Sequence, residues 1–362
     1  MKKYNLFIVV VILILIPFLY SNFFLGALKD PYQNVEQLPV AVVKGDNKIP
    51  IEESLLRKKL FKAKFENIEK ANSDLNSGKV YGIVSFDNNF MEKIASEKET
   101  PNIVLTTNES LNSFAAKILT SEMTQYVTKV NEVLSKELIP KFNAKKVPVP
   151  DKISSLINLK HQEVNPVKNN AEAMAPYFFS LTLFIGCIFI SQFVMKSFPK
   201  KEEEYFHYWK KEFIYALILA LAQVFVLLVT NNVWLKLRID YVPEFIIFTV
   251  IVSATFCSII VGLNKLIPGI GSFLVLLLTM LQTSSSGGTY PIQLSNPFFQ
   301  GINKLIPMTY TNDGFRKLMS IGSTAIQDDV AVLVIYFVIS QVLILLSFHI
   351  HHKNKATKLV KI

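Results

Sequence analysis

The amino-acid sequence predicts an α-helical polytopic membrane protein of six transmembrane helices, with five as the alternative, and an extracytoplasmic α/β domain inserted between helices one and two. Three observations predict it. Of 362 residues, 51% are hydrophobic and only 18% charged, with a mean hydropathy of +0.34. The apolar residues fall in blocks close to the roughly 20 residues a helix needs to cross a bilayer. Between the first block and the others, residues 29–173 have the mixed patterning of a soluble fold.

The first block, LFIVVVILILIPFLYSNFFLGAL (6–28), follows Lys2 and Lys3. It is too long for a signal-peptide core, and no small-x-small cleavage site precedes Lys29, so residues 1–28 are expected to be an uncleaved transmembrane anchor. The α/β domain is expected over 29–145. LPVAVVKG (38–45) reads as a strand, and PIEESLLRKKLFKAKFENIEKANSDLNSG (50–78) as one charged amphipathic helix. KVYGIVSFDNNFMEKIAS passes from strand to helix, and NIVLTTNESLNSF passes from a strand into a long helix after Asn108. Three strand-to-helix units argue for a folded domain rather than a spacer. Four prolines from Pro140 onward mark 146–173 as mainly a return linker, with an extended portion as the alternative within it and His161 solvated.

Enzyme function is disfavoured. Glu36, Asp46, Asp87 and Glu92 supply carboxylates, but there is no H-E-x-x-H, no G-x-S-x-G and no Cys/His metal spacing, so neither a catalytic residue nor a cofactor or metal site is expected. The only cysteines, Cys187 and Cys257, lie within expected spans and read as small buried hydrophobes.

The membrane domain is expected over 174–348, with spans at 176–195, 213–230, 245–263, 267–281 and 330–348. Charge sets the orientation. With the N-terminus inside, the cytoplasmic segments carry 12 Lys/Arg in 38 residues, against 5 in 58 for the short external ones. Both termini are therefore expected in the cytoplasm and residues 29–173 outside. The net charge of +10 is explained by anionic lipids of the inner leaflet, with no nucleic acid required. The basic tail 349–362 has His349, His351 and His352 without a Cys or carboxylate beside them, and reads as a headgroup-facing end rather than a metal site.

Two segments carry the functional expectations. KSFPKKEEEYFHYWKKEF (196–213) reads as a short interfacial helix, with Tyr205, Phe206, Tyr208 and Trp209 at headgroup depth. With Glu203, these aromatics are the candidate surface for a cytoplasmic partner, the alternative being membrane anchoring alone. SSSGGTYPIQLSNPFFQGINKLIPMTYTNDGFRKL lies in an outer interfacial hairpin, 284–328, divided by Pro291, Pro297 and Pro307. There Gly287, Gly288, Tyr290, Phe298, Phe299 and Tyr310 are candidates for an outer gate or substrate path, with packing at the outer mouth as the alternative; Asn312, Asp313 and Arg316 are expected to cap or bridge the helix before the last span. Gln223, polar within an apolar span, reads as a helix–helix contact or a substrate-facing group.

LPVAVVKG, GKVYGIVSFDNNF, and above all SSGGTYPIQ with FFQGINKLIPMTYTNDGFR, resemble the YhgE/Pip family, the phage infection protein-like branch of ABC-2-type membrane proteins. The resemblance implies an N-terminal span, an extracytoplasmic insertion and a five-span, ABC-2-type permease-like domain. It further implies a transport or export component of an unidentified substrate, working as a homodimer or membrane complex with a separate ATPase or secretion-system subunits. The alternative it carries is a non-enzymatic scaffold or receptor, either a type VII-like secretion accessory subunit or a phage adsorption protein. The chain has no Walker A sequence of its own, and KKEEEYFHYWKKE stands where ABC-2 exporter permeases often carry an E-R-E-x-G-T-like segment. Its external insertion is also much shorter than that of large family members.

Overall fold

The computed structural model describes residues 31–43, 60–96, 99–145, 149, 151–197, 205–267, 270–321 and 323–359. The expected anchor over 1–28 and Glu203 lie outside the described residues. The chain divides into two compact units, one of 30–173 with 289–295, the other containing 174–288 and 296–362.

The first unit is an α/β domain. Its strands are β1 (Pro39–Val43), β2 (Lys62–Glu66), β3 (Gly82–Phe86), β4 (Asn102–Asn108) and β5 (Asn158–Val164), and its helices α1 (Ile68–Asn76), α2 (Phe90–Ser96) and α3 (Ser113–Lys145). The sheet order is β2-β1-β3-β4-β5; only the β3–β4 pairing is antiparallel. Side chains alternate across this sheet as its period of two requires. Val40, Val42 and Val84 face α3, packing with Ile118, Leu119 and Met123, while Ala41 and Ile83 pack with Ala71 and Leu75 of α1. Asn67 caps α1 by accepting from Lys70 N at 2.8 Å, and Asn112 caps α3 by accepting from Ala115 N at 3.0 Å.

Two expectations for this unit are corrected. The single helix expected across 50–78 is broken among its described residues by β2, which runs parallel to β1 with Phe61 buried just before it. Lys, Ala and Glu favour helix in isolation, but pairing along β1 overrides that preference. The extended portion of the expected linker is β5, which pairs with β4 along its whole length and so corrects the solvated reading of His161. Asn131 of α3 holds the chain leading into it, donating from Nδ2 to Ile157 O and accepting from Ile157 N, both at 2.9 Å. His161 is accordingly a sheet residue, its Nε2 lying 2.8 Å from Thr107 Oγ1.

The second unit is helical: α4 (Asn170–Ser197, entering it from the α/β domain), α5 (Tyr205–Thr230), α6 (Val242–Leu266), α7 (Gly271–Ser285), α8 (Pro297–Asn303), α9 (Pro307–Arg316) and α10 (Gln327–Leu359). Among the described residues, four helical stretches are long and apolar enough to cross a membrane: Asn170–Met195, Phe206–Leu235, Val242–Leu266 and Gln327–Ser347. Of the six expected spans the first lies outside the described residues, and of the remaining five one is corrected. The span expected at 267–281 is α7, a 15-residue helix about 22 Å long against a hydrocarbon core of roughly 30 Å.

Helix α6 is the centre of this unit, 67% buried over its apolar window against 17% for the α5 stretch. Small and polar side chains bring its neighbours close. Thr255 Oγ1 donates to Leu333 O of α10 at 3.3 Å, Asn264 Nδ2 donates to Ser191 Oγ of α4 at 3.2 Å, and Ser272 Oγ of α7 donates to Asn264 Oδ1 at 3.1 Å. A Cβ on Gly271 would lie 2.4 Å from Asn264 Cα, so the corner from α6 into α7 needs glycine. Phe179, Phe245, Phe248 and Phe315 fill one end with ring contacts 5.1–6.1 Å between centroids, edge to face except for the tilted Phe245–Phe315 pair.

Candidate functional site

The chain between α7 and α10 is where the membrane unit departs from long continuous helices. α7 ends at Ser285, Gly287 turns the chain with φ +67°, and the backbone then proceeds through the short helices α8 and α9. Each short helix begins at a proline, whose fixed φ suits a first turn and whose missing N–H costs nothing there.

Arg316, at the end of α9, holds this turn. Its Nη2 donates to Gly287 O at 2.7 Å and Gly288 O at 2.9 Å, and its Nη1 donates to Asp313 Oδ1 at 3.3 Å. A planar guanidinium meets this fork of acceptors better than a lysine would. Gly288 is confined by its surroundings, since a Cβ there would lie 2.2 Å from Tyr177 Cδ2 and 2.9 Å from Asn312 Nδ2. Gly314 of α9 is confined in the same way, by Phe248 Cζ at 2.2 Å. Asn303 Nδ2 donates to Ser285 O at 2.7 Å, and Thr311 Oγ1 donates to Ser180 Oγ of α4 at 2.8 Å. Lys317 Nζ meets Asp329 Oδ2 at 2.6 Å, joining the end of α9 to the start of α10.

The expected gate residues divide between the units. Gly287 and Gly288 lie under Arg316. Phe299 is buried on α8, whereas its neighbour Phe298 is 56% exposed, the two rings meeting edge to face at 5.2 Å. Tyr310 of α9 donates from its hydroxyl to Lys304 O at 2.9 Å. Tyr290 belongs instead to the α/β unit, where burial pushes its phenol above the ordinary value against an opposing hydrogen bond with Ser295. Within that unit Leu294 is 1% exposed in the core, Asn34 Nδ2 donates to Leu294 O at 2.9 Å, and Tyr81 Oη donates to Gln293 Oε1 at 3.2 Å. Gln223 is elsewhere, on α5 against Gly186 of α4, where a Cβ would lie 2.6 Å from either atom of its amide.

The expected interfacial helix is corrected as well. Of its described residues, 196–197 end α4, and those from Tyr205 on form the first turns of α5, continuous with the span. Phe206 is exposed, but Tyr208 is buried with its ring centroid 5.2 Å from Lys265 Nζ, and Trp209 Nε1 donates to Gln341 Oε1 at 3.0 Å. Gln341 Nε2 continues to Ser258 Oγ at 2.8 Å. Glu212 and Lys265 form a buried ion pair between α5 and α6. A cavity of about 30 Å³, room for about one water, is lined here by Trp209, Glu212, Cys257 and Gln341.

Sequence reasoning missed Gln282 and Ser286, and it read Asn312 as capping or bridging the helix before the last span. All are at most 2% exposed, and both amide atoms of Gln282 and Asn312 and the hydroxyl of Ser286 have no hydrogen-bond partner. The signal available was three polar residues in a segment flanked by apolar helices. Among the described residues, no group of three or more His, Cys, Asp or Glu is placed to hold a metal ion.

A family model described as "ABC-2 family transporter protein" matches residues 3–348. The Bacillus subtilis (strain 168) protein described as "Uncharacterized protein YhgE" is 28% identical over 167 residues, 46% of this chain and 22% of that one. The match thus spans under a quarter of that relative's length. No solved structure matches. With the family model matched over nearly its whole length, the chain belongs to the ABC-2 family of transporter proteins.

Proposed function

We propose that this chain is an ABC-2-type permease that moves its substrate by repacking α7, α8 and α9 against α6 and α10, powered by a separate ATPase subunit. Both termini are cytoplasmic in this reading, the α/β domain is extracytoplasmic, and two copies form the path. The observation that carries it is the broken-helix segment. Discontinuous helices in a membrane protein concentrate where backbone lines a substrate or water path, and here a single guanidinium, that of Arg316, holds the turn between α7 and α8. The charge asymmetry of the connections supports the orientation.

Purification from native membranes after crosslinking, with every partner identified, tests the reading. A nucleotide-binding subunit whose ATP hydrolysis depends on this chain is the expected result. Recovery with secretion subunits alone, and no ATPase, would replace it with the scaffold reading. Within such a complex, Arg316→Lys retains the charge but loses the fork. It is expected to keep membrane abundance and partner binding while losing most of the stimulated hydrolysis; unchanged hydrolysis would remove the segment from the mechanism.

A further inference from the structure

We infer that the seam between α7 and α9 is a binding site for neutral hydroxyl groups, seen here in its closed form. The inference rests on the preceding reading of α7–α9 as the moving part of the unit. Gln282 and Ser286 are one helical turn apart and share a face of the α7 end. Asn312 stands on α9 with its Nδ2 2.9 Å from where a Cβ on Gly288 would be, two residues from Ser286. Together these side chains place five unpartnered polar atoms beyond the reach of solvent.

The chemistry of those atoms selects the ligand. Two are amide nitrogens that only donate, two are amide oxygens that only accept, and the hydroxyl does both. Arg316, one turn along α9 from Asn312, is committed to Gly287 O, Gly288 O and Asp313 and adds no free charge. A phosphate or carboxylate only accepts, so Gln282 Oε1 and Asn312 Oδ1 would stay unpaired against it. An ammonium only donates, so both amide nitrogens would stay unpaired. Of these three chemistries the hydroxyl group, which donates and accepts, is the one that satisfies the whole set, whether it arrives as water or on an alcohol such as a sugar or glycerol moiety.

The closed form also supplies the reason to open. A buried polar group without a partner carries the full penalty of its lost hydration, and these three side chains hold five such atoms. Hydroxyl groups entering between α7 and α9 relieve that penalty, so ligand entry and separation of the two helices favour each other.

The test is thiol accessibility in the full chain, in native membranes, with Cys187 and Cys257 changed to alanine. Ser286→Cys changes a single side-chain atom, and Asn312→Cys probes the facing helix. Gly301→Cys is the exposed control, because nothing lies within 4 Å of a Cβ there. Neutral methyl methanethiosulfonate is expected to modify both seam cysteines despite their burial, whereas its anionic sulfonatoethyl counterpart reacts far more slowly there than at the control. Protection by methyl glucoside or glycerol identifies alcohol hydroxyls as the occupant; modification that neither slows identifies water. Seam cysteines that stay unmodified while Gly301→Cys reacts to completion overturn the proposal, as do equal relative rates for the neutral and anionic reagents. Should the cysteine forms fail to accumulate, radiolytic footprinting of the unaltered chain reads the same opening at Met308, fully buried one turn before Asn312, and an unoxidised Met308 overturns it. Labelling without any substrate flux would remove the permease reading but leave the hydroxyl site standing; flux through a chain whose seam never labels would do the reverse.

Discussion

Asn131 in the α/β unit and Asn312 in the membrane unit are the same side chain, each buried on a helix, with opposite outcomes. Asn131 spends both amide atoms on the backbone of Ile157, where a strand lead-in has no other partner. Asn312 spends neither atom. Asn108 Nδ2 of the α/β unit is unpartnered too, so the contrast lies between these two side chains and not between the units. It nevertheless separates a buried amide that fixes one arrangement from one that leaves a second arrangement open, and burial alone does not distinguish them.

The largest effect tests whether the membrane unit is strained throughout or only at the α7–α9 seam. At the other end of α7, Glu212 and Lys265 are buried and paired, with the Tyr208 ring beside the ammonium. Lys265→Met leaves a carboxylate buried without its cation and is expected to cost about 3–5 kcal/mol, seen as a fall in Tm in detergent. Glu212→Leu combined with Lys265→Met removes both charges and is expected to recover most of that loss. A double variant as unstable as the single one would mean that this end, too, is not a settled brace.

The second effect sets the two asparagines directly against each other. Asn131→Leu strands the N–H and the carbonyl of Ile157 inside the domain and is expected to destabilise it by about 2–4 kcal/mol. Asn312→Leu removes two unpartnered atoms and strands nothing, so a stability gain of about 1–2 kcal/mol is expected. Parallel thermal unfolding of the two variants reads the sign of each change. Loss of stability in both would show that Asn312 has a partner in the working protein and would close the contrast.

Such differences explain what was legible in the sequence. Long apolar helices are local in origin, so the stretches around 176–195, 213–230, 245–263 and 330–348 were readable from composition, and the glycines and prolines of 284–318 marked where continuity fails. Pairing across distance was not readable. Helix-forming residues of β2 are taken into the sheet by β1, and a proline-rich return carries β5 because β4 offers it an edge. The outer hairpin likewise read as one structure, yet Leu294 is drawn into the α/β core while Phe299 packs in the membrane unit. At the candidate site, Gly287 and Gly288 were visible as backbone requirements; that Arg316 would be the group to hold them depended on α9 folding back.

The smallest effect extends the contrast to a charged group whose partners are all supplied. Partial burial pushes the Asp87 carboxyl up, but the backbone N–H and side-chain amide of Asn102 and the Lys93 ammonium outweigh it, leaving the group below the ordinary carboxylate value. Asn102 N and Nδ2 both donate to Asp87 Oδ2 at 3.0 Å, and Lys93 Nζ lies 3.3 Å from the same oxygen. A pKa lower in the folded state than in the unfolded chain contributes stability that is fully present above the unfolded value of about 3.9 and fades as pH falls through the folded one. Asp87→Asn is therefore expected to lower Tm slightly at neutral pH and to flatten the acid limb of the stability profile. The two profiles should converge once pH has fallen below the folded value, where the aspartate of the parent chain is itself protonated. A constant offset between them across the acid range would assign the effect to lost hydrogen-bond geometry, and Asp87 would then be a capped turn like Asn67 rather than a charge held by its partners.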